Sequence, residues 1–294
     1  MRSPTSDSFE GRRDEDGSES EAWGRVAVIG DVAGHVEELQ AELRRLGADG
    51  PSDRLPPDLT VIQVGDLVHR GPSSDDVVAL VDRYLSDQPD QWIQLVGNHE
   101  AHYLHRPLFD WSESISARSV DTLRRWWATG QMRAAATVRA HAEDFLITHA
   151  GLTAGFWREV LDGETDAGRA AAALNGLIGP RDGVLFRAGH MIRGRKGNHA
   201  AGPTWAASGT ELVPSWLPGT LPFSQIHGHT SIIDWPDGRA RASEEIARRT
   251  ITDAAAKHTT VVLEGGRIVG IDPGHGRDAQ RPWRAWETRA WSIS

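Results

Sequence analysis

The chain has 294 residues, enough to bury a substantial core, with 39% hydrophobic and 25% charged side chains and a formal net charge of -9. That charge argues against an extended nucleic-acid surface, leaving room only for a local basic pocket that takes a phosphate. There is no cysteine, which excludes disulfides, thiolate metal ligands and a cysteine nucleophile.

No run of about 18 apolar residues offers a membrane span, and the first residues lack the apolar core of a signal peptide, so a cytoplasmic location is expected. Residues 1–22 carry seven acids against three arginines and read as a disordered acidic tail. One folded domain is expected over 23–294.

The segments GRVAVIGD, LTVIQVGD and QWIQLVGN are short β-branched runs that end in Asp31, Asp66 and Asn98. Helical periodicity follows the first two, over 36–46 and 74–84, which makes a βαβαβ pattern with parallel strands. PSDRLPPD (51–58) reads as a surface loop. Residues 101–141 read as helices, with Trp126 and Trp127 adjacent. DFLITHAG then delivers His149, and FSQIHGHT delivers His227 and His229. Between them, residues 187–205 hold four arginines or lysines and two histidines, a basic loop in an acidic chain. VVLEGGRIVGID (261–272) reads as a hairpin around Gly265 and Gly266, and AWSIS as a last edge strand.

Ligands of parallel sheets bind at the carboxyl ends of the strands. Five such ends gather Asp31, Asp66, Asn98, His149 and His229, an oxygen and imidazole set that suits Mn, Fe or Zn. His35 and His227 lie close to these positions. His35 reads either as a ligand or as the exposed start of a helix, and His227 either as facing the site or, in preference, as a support for the ligands from behind.

The blocks GDVAGH, GDLVHRG, GNHE, HAG and GHT resemble those of the calcineurin-like metallophosphoesterases. They lie nearest the phosphoprotein-phosphatase branch and its bacterial diadenosine-tetraphosphatase relatives. The resemblance spans about 25–275. It implies an α/β fold, a four-layer α/β/β/α sandwich, holding two divalent metals, Mn foremost, about 3–4 Å apart. A metal-bound water or hydroxide attacks phosphorus in that family. Asp66 would bridge both metals, Asn98, His149 and His229 would complete the second, and Asp31 would bind the first. His99 would protonate the leaving oxygen and Arg70 would grip the phosphate.

Four departures stand against the family pattern. Ala33 replaces the first metal's histidine, and His69 stands where an aspartate orients the catalytic histidine. Ser231 closes the GHT block without an extra ligand, and Ala207 stands where a second phosphate arginine is usual. Arg187, Arg193 and Arg195 are candidates to replace that arginine. His69, curling back from the bridging aspartate, or His35 is expected to supply the ligand missing at Ala33, at the cost of His99 orientation. A weakened or empty first site and a site rebuilt in another way are the other outcomes.

The function implied is a phosphomonoesterase of the serine/threonine phosphatase type, acting on a phosphorylated protein. The alternatives are a hydrolase of diadenosine polyphosphates or another small phosphorylated molecule, and a catalytically impaired binding protein.

Overall fold

The computed structural model describes residues 24–294 apart from 50–52, 109–110, 141, 193–196, 276–281 and 291. The acidic tail expected over 1–22 lies outside them, as do Arg193 and Arg195.

Strand β1 (Gly24–Ile29), helix α1 (Val36–Leu46), β2 (Leu59–Gln63), α2 (Ser74–Asp87) and β3 (Trp92–Leu95) form the βαβαβ unit. Helix α1 buries Leu39, Leu43 and Leu46 at helical spacing. Glu37 and Glu38 in its first turn and Arg44 and Arg45 in its last complement its dipole, and left-handed Gly47 ends it. Helix α3 (Asn98–Leu104) begins at the end of β3, and α4 (Ala117–Thr129) follows. Helix does not continue to 141. Met132–Arg133 (β4) and Ala136–Ala140 (β5) are strands, because Gly130 in a left-handed conformation stops α4 and an Ala-Thr-Val run prefers the sheet.

The remaining strands are β6 (Glu143–Ile147), β7 (Ser224–His227), β8 (Ile233–Asp234), β9 (Arg239–Ala240), β10 (Thr250–Asp253), β11 (His258–Leu263), β12 (Gly266–Gly270), β13 (Trp286–Ala290) and β14 (Ser292–Ile293). One sheet has the order β13-β1-β2-β3-β4 and the other β10-β11-β12-β7-β6-β5-β14. Strands β1, β2, β3 and β4 run parallel, while β13 closes the first sheet antiparallel to β1. The hairpin expected over 261–272 is the β11–β12 pair, and the end of AWSIS is the edge strand β14 against β5.

Period-two alternation explains the layers. Val26, Val28, Ile62 and Val64 of the first sheet face Val138, Phe145, Ile147 and Ile226 of the second. Ala27, Ile29 and Val61 point the other way, onto Leu39, Leu43, Val77 and Val81 of α1 and α2. Behind the second sheet, Val261, Leu263 and Ile268 pack on Leu212, Val213 and Trp216. This is the α/β/β/α sandwich, and each such buried side chain contributes roughly 1.5–3 kcal/mol. Trp126 and Trp127 belong to the outer core, their indole N–H groups donating to Asp82 and Asp182 at 2.8 and 3.0 Å. Among the described residues no helix is long and apolar enough to cross a membrane.

Candidate metal centre

The strand ends turn sharply where the polar residues stand. Asp66, His69, Arg70, His229 and Ala33 all have positive φ, a strained conformation that functional loops often hold. A Cβ on Gly97 would lie 2.2 Å from Asp66 Oδ1, so only glycine lets the loop after β3 run against the loop after β2. Buried Glu100 fastens the two loops. Its carboxylate accepts the N–H groups of Asp66, Leu67 and Gly97, each at 2.8 Å. Burial and the Asp66 charge push the Glu100 carboxyl up to about 7.

Asp66, His149 and His229 bring ligand atoms within 4.8 Å of one another, all buried. His149 Nδ1 is 3.0 Å from the Val64 carbonyl, which only accepts, so that nitrogen carries the proton. The lone pair on His149 Nε2 then faces Asn98 Oδ1 at 3.0 Å and Asp66 Oδ1 at 3.4 Å. Acceptors gathered in this way can hold a cation between them, and a backbone carbonyl holding the far nitrogen is how metal-binding histidines are fixed. His229 Nε2 is buried without a hydrogen-bond partner among the described residues. The residues fit a divalent ion.

Charge tells the same story. Burial opposes ionisation of Asp66, but His149, His99 and His229, when they carry a proton, and the His99 backbone N–H hold its carboxyl well below the usual range. Burial, then Asp272 and Asp66, push Asp31 well above it. Burial and neighbouring His149 push His229 down, leaving it a neutral donor. The His229 N–H reaches both oxygens of Asp31, at 2.9 and 3.1 Å.

The family model for calcineurin-like phosphoesterases matches residues 24–191, more than half of the chain. The chain belongs to this family. It is similar to symmetrical bis(5'-nucleosyl)-tetraphosphatases, 35% identical over 97 residues to that of Pseudomonas fluorescens Pf-5, which is 33% of this chain and 29% of the relative. With the Enterobacter sp. 638 protein it is 31% identical over 135 residues, 43% of each chain. The chain thus spans less than half the length of these curated relatives. A serine/threonine phosphatase from Saccharomyces cerevisiae superposes with a TM-score of 0.46 at 15% identity, over 91% of this chain and 80% of the other.

The surroundings of His69 turn it away from the expected role of replacing the missing metal ligand. Its Nδ1 lies 2.9 Å from His99 Nδ1 and its Nε2 2.6 Å from the Tyr103 hydroxyl. Both nitrogens are engaged, and the ring stacks on Trp111 at 5.3 Å. The left-handed backbone at His69 turns the ring toward α3. His69 therefore still orients His99, but without a carboxylate's charge. Burial, then repulsion from His99 and His102, push His69 down to about 3, and burial pushes His99 down too.

His35 is buried rather than exposed, and its ring stacks on His275 at 4.5 Å. It is not among the residues that line the cavity at Asp31. His227 supports the strand end from behind. Nδ1 donates to the Gly228 carbonyl at 2.8 Å, Nε2 meets Ser208 Oγ at 3.2 Å, and burial pushes it down to about 4.

Arg187 lines neither of the cavities beside the ligands. It donates to Glu159 at 2.6 Å and to the Ala200 carbonyl at 3.1 Å, over the ring of Phe156. Arg70 does face the site, beside Trp111 and within 3.4 Å of the His275 carbonyl. Two cavities flank the ligands. One of about 130 Å³ is lined by Asp31, Asp66, Arg70, Trp235, Arg241 and Asp272. The other, about 250 Å³, is lined by Asn98, His99, Trp111 and Trp205, and shares Asp66, Arg70, Met191 and His229 with the first.

The sequence reading missed Glu100, Tyr103, Trp111, Arg241 and Asp272. Only Asp272 carried a signal, since GRIVGID repeats the pattern of a strand running into Gly and Asp seen in GRVAVIGD.

Proposed function

We propose that this phosphoesterase is a metal-dependent hydrolase of phosphoanhydrides or activated phosphoesters that carry a planar ring, such as a dinucleoside polyphosphate, working from one domain over about 23–294. Bound divalent ions, Mn foremost, supply Lewis-acid activation of the phosphoryl group and the attacking water. Asp66, Asn98, His149 and His229 would hold one ion, and Asp31 would help to hold a second. Arg70, shared by both cavities, offers two parallel N–H groups to phosphoryl oxygens. With Tyr103 donating to His69 and His69 to His99, the proton of neutral His99 sits on Nε2, the nitrogen 3.8 Å from Asp66. That nitrogen can donate a hydrogen bond to the leaving oxygen.

One observation carries the choice of substrate: His99 leans on a neutral imidazole. Without a carboxylate behind it, a protonated His99 is poorly stabilised, so a leaving group that departs as an anion unaided is favoured over a serine alkoxide. The tryptophans beside His99 offer a flat wall for a base, and the tetraphosphatase relatives point the same way.

The test compares Mn²⁺-dependent turnover of diadenosine tetraphosphate, an aryl phosphate and a phosphoserine peptide by the full chain. Higher kcat/KM for the first two is expected. A preference for the phosphopeptide would restore the protein-phosphatase reading, and no turnover with any metal would leave a binding protein, the reading that Ala33 favours.

A further inference from the structure

The first-metal side has Asp31 and Asp66 but a methyl group at Ala33, where its family relatives present an imidazole. Another strand end reaches the same place. Strand β12 runs parallel to β7 with Gly270 opposite His227, and the Ile271 N–H donates to the His227 carbonyl at 2.8 Å. Residues 271–275 therefore leave the sheet beside the loop that carries His229.

The contact with Asp31 is equally close. A Cβ on Gly30 would sit 2.2 Å from the Ile271 carbonyl oxygen, so only glycine lets the end of β1 pass against the end of β12. Asp31 and Asp272 thus follow two backbone segments in contact. Asp272 is 9% exposed, and the Gly274 N–H holds its Oδ1 at 2.8 Å. The Trp235 indole N–H donates to its carbonyl at 2.9 Å, which fixes the segment from the far side.

Asp31, Asp66, Asp272 and His275 line a single cavity. His275 is 6% exposed, and its Nε2 is buried with no hydrogen-bond partner among the described residues. Arg70 and Arg241 also line this cavity, but Arg241 is paired with Asp234, and the Arg70 guanidinium alone cannot neutralise three buried carboxylates.

We propose that Asp272, at the end of β12, supplies the first-metal ligand that Ala33 cannot, with the neighbouring His275 ring as the available nitrogen donor. This rests on the metallohydrolase reading above. The first site is then carboxylate-rich: Asp31, bridging Asp66 and Asp272. Such a set suits Mn²⁺ better than a thiolate- or imidazole-seeking ion.

The experiment strips the full chain of metal, reloads it with Mn²⁺, desalts it, and reads metal per chain together with the electron paramagnetic resonance spectrum. Wild type is expected to hold two Mn²⁺ per chain with a spin-coupled signal. Asp272→Asn should hold one, with a mononuclear signal, and adding Ala33→His to that variant should restore the second ion and the coupling. Recovery in the double variant rules out misfolding as the cause of the loss. Two coupled ions retained in Asp272→Asn would overturn the proposal, and so would a wild type that holds one ion with an affinity the substitution leaves unchanged. Wild type binding no ion would instead overturn the metallohydrolase reading, and this proposal with it.

Discussion

The two sides of the metal centre differ in where their ligands come from. On one side Asp66, Asn98, His149 and His229 meet across the two sheets, each on a strand end already evident as a ligand block. On the other, Asp31 keeps its place while Ala33 offers nothing, and the buried carboxylate beside them belongs to a segment near the other end of the chain. A centre assembled from converging strand ends is not tied to one loop. If Asp272 acts as proposed, the neighbouring strand end makes up for a loop that supplies one ligand fewer.

The largest effect that can break this comparison is expected at the shared residue. Asp66→Asn should remove metal from both sides and lower Mn²⁺-dependent aryl-phosphate turnover by about 10³-fold or more. If metal were lost from one side only, Asp66 would not join them.

A smaller change sharpens the contrast by acting on neither metal. His69→Ala should leave metal content intact and lower kcat by about tenfold through looser orientation of His99, while His69→Asp should raise turnover of the phosphoserine peptide relative to the anhydride. Metal loss in His69→Ala would return that ring to the ligand set.

The smallest effect concerns acid stability without metal. His227, behind the second-metal side, and His275, on the first, are held at about 4 and about 3, chiefly by burial. Both lie below the unfolded value of about 6.5. Below that pH the unfolded chain takes up protons that the folded one refuses. Stability is therefore complete above about 6.5 and falls as pH drops, by up to about 1.4 kcal/mol per pH unit for each histidine. Thermal melts of the metal-free protein at about pH 7.5 and 5.5 should show the drop, and His227→Gln should lessen it.

Much of this was legible from residue pattern. Helix α1 runs over the residues whose periodicity marks it, because its apolar spacing, end charges and terminal glycine agree. The gathering of Asp66, Asn98, His149 and His229 followed from strand ends alone. The orientation of His69 did not, because it depends on two consecutive left-handed residues and on Tyr103, an α3 residue with no mark of its own. Arg187 misled for a similar reason. Basic composition places a residue in a region, but its partner Glu159 decides where the guanidinium goes. Asp272 was concealed inside a hairpin whose turn chemistry drew the reading toward folding rather than ligation.

The hydrogen bond from His229 to Asp31 spans 198 residues of sequence. Closing so long a loop is an entropic barrier that local helices cannot lower, so this contact belongs to the late stages of folding. The cation pocket is then one of the last features to exist on a folding chain. An ion bound there ties the first sheet to the second, and its release loosens the join that took longest to make.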